Sequence, residues 1–543
     1  MARARLALGN RRRNHALVWL GSALPAAPTQ RLAERAAISA RIARNADGMK
    51  ETAPASTRPR LQADALKALT NHDWTVATEH LALALIENPA WTDGWLNLGL
   101  ARLHLHQPQA AISALQRGID LDPNRPRARC TLAEAWLQAG DLEAAADAGR
   151  DECRLFPDIA DNWLSLGRTL EQMEHREAGN AYDQAHQLAP ENPDTAWHWA
   201  RWLNEHHEVD AAYRLLETAR ARHPDSAQLE WQFAVNCFYR EDWIRGLNHM
   251  DCRWRLPDFP KSPSPEGVPL WQPGTEPQSP ILLEPEQGLG DTIQFIRFIP
   301  ELAARGHRVW LGCPKPLRTL LEGFPEVERL LTNTGEAAGA GCRLPLMSLP
   351  SRLGITDLSE FSAPYLKAPR PQTDSPTEAV QHAHERRRIG FVWRGNPQHK
   401  NDHRRSQPIL EFAKFLPLHN ADWVSLQVGG NVAGELNLLR THIKNVAATG
   451  RPTTDKDYRL PHIEDAGSRF EDFLDTARAV SATDQVITVD TAVAHLSSAL
   501  GTPTSIFIPD PPDWRWALHS KSNPWYPKTN LLRNKSISDP LLK

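Results

Sequence analysis

Asp291 closes a glycine-bracketed loop in the stretch EQGLGDTIQFIRFIP (Glu286 to Pro300) and stands at the mouth of a run with helical spacing. A carboxylate in that place has two uses. It caps the helix by accepting hydrogen bonds from free backbone N–H groups, or it takes a proton from an acceptor hydroxyl, provided a closing cleft shields it from water. Local pattern alone favours the cap. Gly288 and Gly290 allow tight backbone geometry just ahead of the acid, while the dinucleotide fingerprint G-x-G-x-x-G is absent. In a second stretch, QVITVDTAVAHLSSALGTPTSIFIP (Gln485 to Pro509), Asp490 and Thr491 lie between a strand and a helix, with His495 four residues beyond Thr491 on the same helical face. A helix start capped by Thr491 presents N–H groups and a positive dipole end to an anion. His495 reads equally as a structural residue or as part of that anion site. The segment RGNPQHKNDHRRS (Arg394 to Ser406) brings Arg394, Lys400, Arg404 and Arg405 within reach of the same place. Such a run is either a solvated loop or a grip on a diphosphate through charge-assisted hydrogen bonds.

These residues need strands behind them. ILLE (Ile281 to Glu284), RVWLG (Arg308 to Gly312) and RLLT (Arg329 to Thr332) read as short buried strands, separated by helical runs such as Thr292 to Arg305. After a polar, basic interruption over residues 367–388 comes a second series, IGFVW, DWVSLQ, NVAA, QVITV and TSIFI. Alternation of strand and helix predicts parallel sheets, so residues 281–366 and 389–543 form two doubly wound lobes with a cleft between them. Ligands of such folds bind outside the carboxyl ends of the strands, where Asp291 and Asp490 both fall.

Upstream of the lobes the pattern is purely helical. Pro89, Pro123, Pro157, Pro190, Pro224 and Pro257 recur at intervals of 33 or 34, and Trp95, Arg129, Trp163, Trp197 and Trp231 at 34. Small residues at Ala77, Ala111, Ala145, Gly179, Ala212 and Gly246 mark the close approach of paired helices. WLNLG (Trp95 to Gly99) and WLSLG (Trp163 to Gly167) resemble the opening of the tetratricopeptide repeat, whose period is the same. About six units over residues 59–257 predict an α-solenoid able to hold a peptide or protein on its concave face, with the tryptophans packing helices. A proline-rich stretch, residues 258–280, is too broken to continue a helix and reads as a linker docking the two halves.

Composition narrows the function. The 543 residues carry a net charge of −3, but residues 1–60 hold 12 Lys and Arg against 3 Asp and Glu, leaving the rest mildly acidic. That argues against nucleic acid as the main partner. Six scattered cysteines without a C-x-x-C pair suit reduced thiols and a cytoplasmic location. MARARLALGNRRRNHALVWLGSALPAAP (residues 1–28) imitates a signal peptide, yet its apolar run is broken by Gly21 and Pro25, so residues 1–58 are expected to be a disordered basic arm, with Met49 an alternative start. No stretch is apolar enough to be a transmembrane helix.

EQGLGDTIQFIRFIPELAARGHRVWL, GFVWRGNPQHKNDHRRS, SRFEDFLDTARAVSATDQVITVDTAVAHLSSALGTPT and PDWRW…NPWYP together resemble bacterial tetratricopeptide-repeat proteins with a glycosyltransferase family 9-like, heptosyltransferase-related domain. The resemblance covers about Leu61 to the end. It implies a GT-B fold of two Rossmann-like lobes after the solenoid and transfer from a nucleotide sugar, which is a substrate rather than a cofactor. It also implies that Asp291 is the catalytic base and that Asp490, Thr491 and His495 hold the donor diphosphate, with the basic loop matching more loosely. The expected reaction is a single inverting displacement without metal, onto a glycan, lipopolysaccharide or protein hydroxyl. The triplet Asp455-Lys456-Asp457 then reads as a solvated loop and not as a cation site. The other reading is a scaffold whose repeats recruit partners and whose second half has lost catalysis or only senses a nucleotide sugar. In PDWRWALHSKSNPWYP, Trp514, Arg515 and Trp516 either cover the donor site or pack against the lobe.

Overall fold

The 34-residue period is realised as pairs of short helices joined by tight turns. The computed structural model describes residues 58–257, 259, 267–274, 279–368, 386–399, 401–417, 421–449, 460–520 and 523–533. The basic arm, Lys400, the Asp455–Asp457 triplet and most of both linkers therefore lie outside the described residues. The chain divides into two compact units between Leu203 and Asn204. In the first, helices α1 to α9 run Arg58–Thr70, Trp74–Glu87, Thr92–His104, Pro108–Leu121, Ala128–Ala139, Leu142–Leu155, Ala160–Gln172, Glu177–Leu188 and Pro193–Glu205, the last crossing the division.

The periodic residues have specific tasks here. Trp95 and Trp163 donate their indole N–H to the carbonyls of Pro89 and Pro157 at 2.9 and 2.7 Å, and Arg129 donates to Pro123 at 2.6 Å. In these three repeats one turn carbonyl is satisfied by the residue six positions on, which explains why an arginine can replace tryptophan at the same phase. Gly99, the glycine of WLNLG, lies so close to Leu115 that a Cβ would fall 2.4 Å from its Cγ. Asp73 and Asp141 cap α2 and α6 by accepting from the amides of Val76 and Ala144.

The second unit opens with α10 (Val209–Arg222), α11 (Ala227–Tyr239), α12 (Trp243–His249) and a 3-10 turn, Met250–Arg255. This helical segment shares one core with the sheet region C-terminal to it: Phe238, Trp243, Leu247 and Met250 are buried together with Phe295, Trp514 and Trp525. The last repeat is therefore part of the second unit, and the compact division does not coincide with the proline-rich stretch. Part of that stretch adds to a sheet edge, since Leu270 pairs in parallel with Arg343 and the Trp271 amide donates to the Arg343 carbonyl at 2.8 Å.

Two all-parallel sheets complete the unit. The first, of order β3-β2-β1-β4, comprises β1 Ile281–Glu284, β2 Val309–Gly312, β3 Arg329–Leu331 and β4 Cys342–Pro345. The second, of order β10-β9-β8-β5-β6-β7, comprises β5 Arg387–Val392, β6 Ala421–Ser425, β7 Ile463–Asp465, β8 Gln485–Val489, β9 Thr504–Ile508 and β10 Thr529–Arg533. Chain order reverses between β1 and β4 in the first sheet and between β5 and β8 in the second, which defines a switch point in each.

Two local expectations fail. NVAA (Asn445 to Ala448) is not a strand but the end of a long helix, Val432–Thr449, whose buried Val432, Leu436, Leu439 and Ile443 keep helical spacing. The run Thr292 to Arg305 is not one helix: it breaks into Leu289–Phe295, a 3-10 turn Ile296–Phe298, and Ile299–Ala304 around Pro300, which has no N–H to continue the ladder.

Candidate functional site

The two candidate acids, Asp291 and Asp490, follow the carboxyl ends of β1 and β8, each strand at its sheet's switch point. In the first sheet, β1 leads through the glycine loop into α13 (Leu289–Phe295), with Asp291 as its third residue. Asp291 is therefore not the N-cap. Gly288 occupies that position, and the Asp291 carboxylate reaches back to accept from the Gly288 amide at 2.7 Å. The glycines are not needed for left-handed backbone, because neither has positive φ; Gln287 does, at 54°. Gly290 is required for close approach instead: a Cβ there would lie 2.8 Å from His495 Cδ2 and 3.5 Å from Ala492 Cα.

That contact brings the second sheet's site against the first. Helices Ile299–Ala304 (α14), Arg318–Leu321 (α15), Leu349–Arg352 (α16), Asp402–Arg405 (α17), Ile409–Ala413 (α18), Val432–Thr449 (α19) and Phe473–Ser481 (α20) precede α21, Ala492–Ala499, which comes directly after β8. Thr491 holds the N-cap position of α21, but its side chain makes no capping bond; its hydroxyl lies 3.4 Å from that of Thr488. The expected side-chain cap is therefore absent, and the Thr488 hydroxyl itself donates to the Val489 carbonyl at 2.8 Å. Asp490 offers its carbonyl to Arg405 Nη1 at 3.0 Å, while Arg405 Nε bonds Asp402 at 3.1 Å. Burial, reinforced by nearby Asp513, pushes the Asp490 carboxyl up to about 7.

The rest of the basic loop is spread out. Arg394 turns to Glu435 at 2.7 Å, its own amide bonding Gln427, and Arg404 is exposed, so of the described candidates only Arg405 touches the Asp490 segment. His495 is buried, with its ring stacked on Trp516 at 5.4 Å and Nδ1 3.1 Å from the Tyr526 hydroxyl. Burial, with Arg515 and Arg297 adding positive charge nearby, holds its pKa well below the usual imidazole value and keeps it neutral.

The residue that the sequence left ambiguous proves central. Arg515 is almost fully buried and donates to three partners: Asp291 through Nη2, Gln294 through Nε at 3.0 Å and Asp513 through Nη1 at 2.8 Å. Its neighbours settle the role of the aromatic stretch: Trp514 stacks on Phe238 at 4.3 Å and Trp516 on His495, so both pack and neither offers a free face. Burial raises the Asp291 pKa, and the Arg515 guanidinium opposes that rise. The result is a nearly buried acid held by one amide and one guanidinium, on a helix packed against the start of α21, which follows a second, half-buried acid, Asp490.

Comparison with known proteins bears on the repeats. The tetratricopeptide repeat family matches residues 65–126 and 96–160. The PEX5-related proteins of Homo sapiens and Mus musculus are 33% and 31% identical over 85 residues, 16% of this chain. The chain spans 14% and 15% of the length of those relatives. Among solved structures, MamA is 23% identical, covering 30% of this chain and 94% of its own at a TM-score of 0.28. The pilF protein of Pseudomonas aeruginosa is 16% identical, covering 37% and 93% at a TM-score of 0.33. The chain thus carries tetratricopeptide repeats, with a region of parallel sheets after them. Among the described residues no helix is long and apolar enough to cross a membrane.

Proposed function

We propose that residues 204–543 form a glycosyltransferase of GT-B type that moves a sugar from a nucleotide-sugar donor to a hydroxyl acceptor, with the repeats recruiting the acceptor or a protein partner. The observation that carries the reading is the meeting of the two switch points through Gly290 and α21, which sets Asp291 against the segment Asp490–His495. Asp291 takes the proton from the acceptor hydroxyl as that oxygen attacks the anomeric carbon, and the sugar–phosphate bond breaks on the opposite face. The departing nucleoside diphosphate gains charge, which the free N–H groups of α21 and the guanidinium of Arg405 stabilise. His495, neutral and packed beneath Gly290, shapes this place without supplying charge.

One observation favours a second reading, a nucleotide-sugar sensor on a scaffold: Arg515 holds Asp291, and a carboxylate kept in an ion pair is a weaker base. Thermal stabilisation by a panel of nucleotide sugars and nucleoside diphosphates, with and without manganese, identifies the donor class. Asp291→Asn then separates the readings. The enzyme loses transfer and keeps the donor-induced shift; a sensor shows the shift without transfer in either form.

A further inference from the structure

The final repeat reaches into the first switch point. Arg253, in the 3-10 turn after α12, is fully buried and grips Glu286 with two hydrogen bonds of 2.7 and 2.8 Å. Glu286 belongs to the loop after β1, two residues before Gly288. The same guanidinium donates to Ser348 Oγ at 3.0 Å in the segment after β4, and Glu286 also accepts from the Met347 amide at 2.9 Å. Asp251 completes the network, accepting from Ser348 at 2.6 Å and from Arg352 at 3.0 Å. One side chain of the helical region therefore ties together the two loops that flank the β1/β4 switch point.

A buried ion pair of this kind is weak evidence of stabilisation, because desolvation of both charges offsets their attraction. Its geometry does something more specific. The planar fork of an arginine meets a carboxylate in one orientation and fixes both partners against rotation. Glu286 is thereby held at two oxygens, and the chain between it and Asp291 is a short loop anchored within itself by the Asp291–Gly288 bond.

We propose that Arg253 is a positioning residue for Asp291, acting through Glu286, so that the last tetratricopeptide-like hairpin is an integral part of the catalytic unit and sets the height of the base above the acceptor. The inference rests on the reading of Asp291 as the base. It predicts that the fork, and not merely a positive charge, is needed.

The test uses the full chain with Arg253→Lys and with the double variant Arg253→Met/Glu286→Gln, which removes both charges and keeps an acceptor for the Met347 amide. Hydrogen exchange is read at the Gly288 amide, bonded to Asp291, and at the Leu474 amide, bonded to Asp472 beside the second sheet. In Arg253→Lys, Gly288 exchange is expected to quicken about ten-fold while Leu474 is unchanged, and the double variant should quicken Gly288 at least as much. With a transferable donor, kcat falls by about ten- to a hundred-fold while the donor KM stays within about two-fold, since the donor side lies on the other sheet. Unchanged exchange at Gly288 overturns the proposal, as does a uniform rise at both amides or a matching change in donor KM, either of which marks a purely structural pair. If the unaltered protein transfers no sugar, the functional reading fails, and the exchange comparison still decides whether Arg253 holds the loop.

Discussion

Asp490 is the residue whose titration reports on the site most directly. Its carboxyl has a folded value of about 7 against an ordinary value of 3.8, because burial and Asp513 disfavour the charged form. The folded chain therefore holds a proton that the unfolded chain has released, and stability contributed at low pH is lost as pH rises through that window. Asp490→Asn is expected to melt higher than the parent at pH 8 and to show a flatter dependence between pH 4 and 7, as read by thermal denaturation across buffers. The same ionisation places a negative charge beside the proposed phosphate site. Nucleoside diphosphate affinity should weaken as pH rises through about 7, and Asp490→Asn should abolish that trend in calorimetric titrations. Arg515 is the opposite case. Arg515→Met strips Asp291, Asp513 and Gln294 of their shared donor, and breaking a buried pair from one side costs about 3–5 kcal/mol. Chemical denaturation of the double variant Arg515→Met/Asp291→Asn should recover part of that loss.

At the scale of elements, Gly290 decides how near α13 and α21 can come. Gly290→Ala drives a methyl against the His495 ring and Ala492 backbone, so destabilisation of about 1–3 kcal/mol is expected. Denaturant midpoints measure it, and donor-induced stabilisation should fall in the same variant because the two switch points are forced apart. Much of this level was legible in the sequence. The proline and tryptophan phases revealed the repeat because in three successive units the turn is closed by a bond six residues long, a local feature that the spacing records. The strands leading to Asp291 and Asp490 were legible for a similar reason: short apolar runs ending in an acid and a helix. NVAA misled because four residues carry no period that separates a strand from a helix end. Strands β4 and β10, a short run ending in Pro345 and an outer strand next to charged chain, offered too little apolar pattern to be seen. The pairing of Arg515 with Asp291 spans 224 residues, and nothing local in PDWRW distinguishes a guanidinium that packs from one that holds a carboxylate. Arg253 was invisible for the same reason, sitting in what read as the end of a repeat.

For the molecule as a whole, the division between Leu203 and Asn204 separates a unit made of repeats from one in which a repeat hairpin and two sheets share a core. Repeat arrays draw their stability from neighbouring helix pairs, whereas a ligand stabilises only the cooperative unit that binds it. Calorimetry should therefore resolve two transitions. Trp163→Phe removes the indole donor to the Pro157 carbonyl and should lower one of them by about 0.5–1.5 kcal/mol. Arg515→Met should lower the other. A nucleoside diphosphate at a hundred times its Kd should raise the transition that Arg515→Met lowers, by about 2.7 kcal/mol, and leave the Trp163-sensitive one in place. A ligand that moved both transitions equally would mean that the repeats and the sheets unfold as one cooperative body, so that binding anywhere in it stabilises the whole.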